Sequence, residues 1–184
     1  MNNPLDVAAR DTRKWLERAV IGLNLCPFAK AVHVKNQVHY AVSSALQPSQ
    51  VLDDLAAELD ALVALEPAVR DTTLLIVPDC LHDFFEFNDF VTRAERLVRK
   101  RRLEGVIQLA SFHPDYQFAG SEPDDVANFT NRSPYPTIHL LREASIDRAV
   151  EAVPQPEAIY EANIQALRRL GHEGWTALDV GPSK

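Results

Sequence analysis

The chain has 184 residues, 46% hydrophobic and 24% charged, which is the balance of one globular domain and excludes a disordered or fibrous chain. Its net charge of −7 disfavours a polyanion, so no nucleic-acid partner is expected. No apolar run approaches the roughly 18 residues that a membrane span needs, and the charged stretch Asp6–Glu17 lacks the apolar centre of a secretory signal, so a cytoplasmic protein without a membrane partner is expected.

Asn3 is a helix cap and Pro4 the first helical position. From Leu5 to Leu23 apolar residues recur at helical spacing, which predicts a helix with one buried face, ended by Gly22 and Asn24–Pro27. Val38, Tyr40 and Val42 alternate with more polar neighbours and predict a half-buried strand. Pro48 opens a second helix with Val51, Leu55, Leu59 and Leu62 inward, and Pro67 stops it. Thr73–Val77 runs without a polar interruption between Leu74 and Val77, the pattern of a central strand covered on both faces. Asp83 caps a third helix that ends before Gly105. Its second half carries Arg93, Arg96, Arg99, Lys100, Arg101 and Arg102, read as a solvated face that complements the helix dipole. Val106–Phe112 and Thr137–Leu141 are the last two strands. Ser145 caps a short helix, and Pro156 opens a final one that Gly171 ends.

The order α-β-α-β-α-β-β-α-α predicts an α/β fold: a single domain over 1–184, with a mixed sheet of about four strands flanked by helices. Helical crossovers favour parallel directions for the first three strands, and the long loop before the fourth allows it to run antiparallel. A thioredoxin-like topology is compatible with this string.

The connection between the last two strands is unusually long and rich in chemistry: His113, Asp115, Tyr116, Asn131, Arg132 and Tyr135. His113 directly follows a strand, where ligands of α/β sheets gather, and its ordinary pKa suits acid–base work. Asp115 is placed to orient that ring. Arg132 is a fork for an anionic substrate group, with Asn131, Tyr116 and Tyr135 as further substrate contacts. The competing reading is an ordered loop whose polar groups satisfy its own backbone. Cys26 is a candidate nucleophile or thiol ligand, its pKa depending on whether Pro27 begins a helical turn. His139, inside the fourth strand, reads as a core or face histidine. Cys26 and His113 are expected to meet in one cavity.

There is no P-loop, G-x-G-x-x-G, G-x-S-x-G or H-E-x-x-H motif, and with 6 glycines a phosphate cradle is not expected. The cofactor stays unknown. His113, Asp115 and His139 lack a metal-specific spacing, so no metal is assigned. Cys26 and Cys80 are far apart and outside any C-x-x-C pair, as two reduced thiols.

Three segments carry a resemblance: Asn24-Leu25-Cys26-Pro27-Phe28-Ala29, the run Gln108–Gly120 around Phe112-His113-Pro114-Asp115, and Asn131-Arg132-Ser133-Pro134-Tyr135-Pro136. With them the sequence resembles, over almost its whole length, a family of uncharacterised bacterial proteins catalogued as a domain of unknown function. That resemblance implies a single domain with a shared site and supplies no activity.

The leading expectation is a small-molecule enzyme whose pocket is built by the Cys26 turn and the Ser111–Tyr135 loop, with His113 as acid or base and a small, anionic ligand. The rivals are a non-catalytic module holding a metal or metallocofactor through Cys26, His113 or His139, and an interaction protein. Substrate, reaction class and oligomeric state stay open.

Overall fold

The structure is a computed structural model, and residues 3–151 and 158–183 are described. Helix α1 (Pro4–Trp15) starts as expected, with Asn3 Oδ1 accepting the Leu5 N–H and Pro4 in the first turn. It does not run on as an α-helix to Leu23. From Leu16 to Ile21 the chain widens into a π segment, with Gly22 N–H bonded to Glu17 O and Leu25 N–H to Val20 O. A Cβ at Gly22 would run into the Arg18 carbonyl oxygen, so this wide turn needs glycine there. Asn24, in the left-handed region at φ 54°, ends it.

A short helix, α2 (Ala29–Val34), follows the Cys26-Pro27 turn. Then come β1 (Val38–Val42), α3 (Pro48–Ala64), β2 (Thr72–Ile76), α4 (Phe84–Lys100) and β3 (Ile107–Phe112). Asp83 caps α4 by accepting the Glu86 N–H. A 3-10 turn (Val126–Asn131) lies in the long loop before β4 (Thr137–Arg142), and α5 (Glu143–Glu151) and α6 (Ala158–Ala177) follow. Ser145 does not cap α5, which already begins at Glu143; its hydroxyl donates to Asp71 instead, at 2.7 Å. Pro156, expected to open the last helix, lies outside the described residues. Gly171, at φ 67°, ends the first part of α6 as expected, and the chain then re-enters helix.

The four strands form one mixed sheet in the order β1-β2-β4-β3. β1 and β2 are parallel, while β4 runs antiparallel to both its neighbours, as its helix-free connection allows. The chain order is the thioredoxin-like string; in space β1 is an edge strand and β2 is internal. Every residue of β2 is buried. Leu75 and Val77 face α3 and α4, together with Ile138, Leu140 and Ile107, and Leu74 and Ile76 face α1. The alternation therefore divides the chain into three layers, α3/α4, sheet, and α1 with the π segment. Each fully buried Leu or Ile of this sheet is worth about 1.5–3 kcal/mol relative to exposure.

The second layer boundary is tied at both chain ends. Asp11, buried in α1, accepts hydrogen bonds from Tyr135 Oη (3.0 Å), Ser183 N–H (2.7 Å) and Ser183 Oγ (2.6 Å). Among the described residues no helix is long and apolar enough to cross a membrane.

Candidate functional site

The long loop is built around His113, which is fully buried between the rings of Phe84 and Phe87 on the α4 side of the sheet. Its Nδ1 accepts the Asp115 N–H at 3.0 Å, so Nε2 carries the proton and donates to the Leu81 carbonyl at 3.1 Å. Leu81 stands in the left-handed region at φ 60°, and the histidine bond helps fix that turn. Burial pushes the His113 pKa below its ordinary value, against the Leu81 bond and the Asp115 charge, which raise it. Both ring nitrogens are used, and the acid–base role expected of His113 finds no open nitrogen in this geometry.

The other residues of the loop satisfy one another. Arg132 Nε donates to Tyr116 O and Nη2 to Pro123 O, at 3.1 and 2.7 Å, and its guanidinium lies 4.5 Å over the Phe129 ring. Asn131 Nδ2 donates to Ser111 O. Asn128, fully buried, accepts from Phe118 N–H and Ser121 Oγ and donates to Glu122 O. Tyr116 packs on Phe84 and Phe118, and burial raises its pKa. Tyr135 spends its hydroxyl on Asp11, and burial together with that bond pushes its pKa up to about 12. Asp115 is exposed and contributes its backbone to His113. The polar groups of the loop named here bond largely to its own backbone and to one another.

The cavity lies elsewhere. A space of about 760 Å³ opens on the α1 face of the sheet, walled by the π segment, the Cys26 turn, α2 and α5. Trp15 and Phe112, packed edge-to-face at 5.1 Å, line its apolar interior with Leu16, Val20 and Leu74. Cys26, half-buried, lines it too. The Ser111–Tyr135 loop contributes Phe112 alone. Cys26 and His113 therefore do not share a cavity. Strand alternation decides this, because His113 follows the inward phase of Ile107 and Leu109 towards α4, and Phe112 points to the α1 side.

The histidine that lines the cavity is His139. Its place in β4 puts it on the α1 face, between Ile138 and Leu140, which face α3 and α4. Nε2 is 2.6 Å from Thr72 Oγ1, and that hydroxyl donates to Leu140 O at 2.7 Å. The imidazole thus donates from Nε2, leaving Nδ1 as an acceptor with no partner among the described residues. Burial pushes its pKa down to about 4. The sequence carried a signal for it: a histidine in the apolar-flanked centre of a strand, in phase with Thr137 and Leu141. That signal did not distinguish a packed ring from a cavity wall.

Cys26 precedes a turn in which the Ala29 N–H bonds its carbonyl at 3.2 Å, so α2 begins three residues beyond it. Asn163 of α6 donates to the Leu25 carbonyl at 2.8 Å and holds the turn from behind. Cys80, buried beside α4, is in a different core, and burial raises its pKa. Among the described residues no group of three or more His, Cys, Asp or Glu gathers to hold a metal ion.

A family model described as Protein of unknown function (DUF1415) matches residues 7–177. The chain belongs to this family. The match spans α1, the Cys26 turn, the sheet, the ordered loop and α6. No curated protein and no solved structure matches.

Proposed function

We propose that this member of the DUF1415 family binds a small organic molecule in the α1-face cavity and acts on it through Cys26 and His139. The observation that carries the reading is the cavity itself. At about 760 Å³ it has the volume of a small-molecule site, with apolar walls and a few convergent polar groups. A thiol and a neutral imidazole with an open acceptor nitrogen supply a nucleophile and a proton acceptor. In this reading Cys26 is the nucleophile, and His139 rather than His113 is the acid–base group. His113, Asp115, Asn131, Arg132, Tyr116 and Tyr135 build the loop that closes the far end of the sheet.

The test is a metabolite library screened by ligand-observed NMR against the wild type and an Ala31→Trp variant, which introduces an indole at the α2 wall of the cavity. Compounds that bind the wild type and not the variant support the reading. Equal binding to both places the ligand elsewhere and overturns it.

A further inference from the structure

The cavity has a polar end and an apolar end, and its charge runs against that of the chain. The molecule carries a net charge of −7, yet the lining holds Lys35, Arg142 and Arg148 against one carboxylate, Asp71. Asp71 accepts the Ser145 hydroxyl at 2.7 Å, and Arg148 Nη2 donates to the same hydroxyl at 3.0 Å. Arg142 is committed to carbonyl oxygens of Leu62, Leu65 and Arg70, closing the end of α3. Neither Lys35 nor Arg148 forms an ion pair among the described residues. Among the described residues, two cations at the mouth thus have no ion-pair partner.

These groups share one end of the sheet. Asp71 immediately precedes β2, Arg142 ends β4 beside it, and Lys35 lies just before β1. Val34 and Val69, the chain neighbours of the lining residues Lys35 and Ala68, are 69% and 63% exposed. Inside, the walls are Trp15, Leu16, Val20 and Phe112, and the open acceptor is Nδ1 of His139. His139 is three residues along β4 from Arg142, which is about 10 Å at the rise of a strand, or roughly eight extended methylene groups.

We infer that the cavity takes a medium-chain carboxylic acid, its carboxylate at Lys35 and Arg148 and a hydrogen-bond donor at its far end on Nδ1 of His139. The inference rests on the cavity being the ligand site and names the class of that ligand. An acid suits the mouth because two cations with no ion-pair partner among the described residues gain one, while an ammonium would meet them as like charges. An alkyl body suits the interior because its apolar area leaves water against apolar walls. A terminal hydroxyl suits His139 because the neutral imidazole offers a lone pair that no other described residue uses.

The experiment is isothermal titration of the full chain with 10-hydroxydecanoate, 1,10-decanediol and decylamine, repeated on Ala31→Trp, on a Lys35→Ala/Arg148→Ala double variant and on His139→Leu. The expected result is binding of the hydroxy acid roughly tenfold tighter than the diol, with the amine weaker than both. The double variant erases that difference and still binds the diol, and His139→Leu weakens the hydroxy acid and the diol alike, because both lose the hydrogen bond of the terminal hydroxyl. Equal binding of all three probes, abolished by Ala31→Trp, overturns the acid class and leaves the cavity reading standing. Binding of none of them also overturns the class, and the library screen then decides the cavity independently. Binding unaffected by Ala31→Trp overturns both.

Discussion

The Thr72 hydroxyl lies 2.6 Å from Nε2 of His139 and 2.7 Å from the Leu140 carbonyl, which fixes both the rotor and the tautomer. One strand of the sheet thereby sets the proton position on the next. Replacing Thr72 by Val removes the acceptor and keeps the shape. The expected cost is about 1–3 kcal/mol of unfolding free energy, the penalty of an unpaired buried polar group. Nitrogen shifts of the His139 ring are expected to move from a single Nε2–H form to a tautomer mixture. Unchanged stability together with unchanged ring shifts would remove Thr72 from the account.

His139 also gives a pH dependence whose sign follows from its depressed pKa. Above pH 6.5 the ring is neutral in folded and unfolded chains, so it adds no pH dependence. As pH falls from 6.5 towards about 4, the unfolded chain takes up a proton that the folded one does not, and stability is lost through that window. The full loss is on the order of 3 kcal/mol, complete only below the folded pKa. Denaturant unfolding of wild type and His139→Leu at a series of pH values reads it directly. The difference between the two curves should shrink or invert between those limits, and parallel curves would mean that His139 titrates normally.

Cys26 should be the thiol that reports on the cavity. It is half-buried and faces the open space, whereas Cys80 is 6% exposed beside α4. In Cys80→Ser protein, iodoacetamide is expected to modify the native fold at Cys26, at a rate that Ala31→Trp lowers by roughly tenfold through blocked access. Modification that appears only after unfolding would make Cys26 a packing residue.

His113 is expected to matter for folding and not for ligand binding. Its imidazole is fully buried and bonded at both nitrogens. His113→Ala leaves a cavity, an unpaired Leu81 carbonyl and an unpaired Asp115 N–H, at a cost of about 2–4 kcal/mol. In folded variant protein the affinity of a cavity ligand should stay within about twofold of wild type, a change too small for a lost direct contact. A large loss of affinity at unchanged stability would restore His113 to the site.

Gly22→Ala tests the π segment. The added methyl meets the Arg18 carbonyl oxygen, so the wide turn has to rearrange, with an expected loss of about 1–3 kcal/mol. Because Leu16 and Val20 of that turn line the cavity, the rate of Cys26 alkylation should change with it. A variant as stable as wild type, with the same rate, would show the turn to be tolerant.

Most of the fold was legible because its signals are local. Asn3-Pro4 and Asp83 are caps whose chemistry acts within a turn, and the buried run in β2 could hardly be placed anywhere but the middle of a sheet. The π segment escaped notice because its apolar residues keep nearly helical spacing, and only Gly22 marks the wider turn. Ser145 read as a cap because its side chain offers an oxygen wherever it stands, and its true partner, Asp71, comes from another part of the chain. The site was harder still. A loop dense in His, Asp, Arg and Asn looks the same in sequence whether those groups await a ligand or bind each other, and here Arg132 and Asn128 are taken up by loop carbonyls and N–H groups. The face on which a strand residue emerges is legible from alternation, and it separates His113 from His139. What fills the space beside that face depends on how α2 and α5 pack, which no local pattern encodes.

The central claim is that ligand chemistry belongs to the α1 face and not to the ordered loop. The most direct measurement is a crystal structure of the protein with a compound that binds it in the library screen. The account predicts density between α2 and β4, in contact with His139 and Cys26. Density held instead by Asp115, Tyr116 and Arg132, with the α1-face cavity filled only by water, would contradict it.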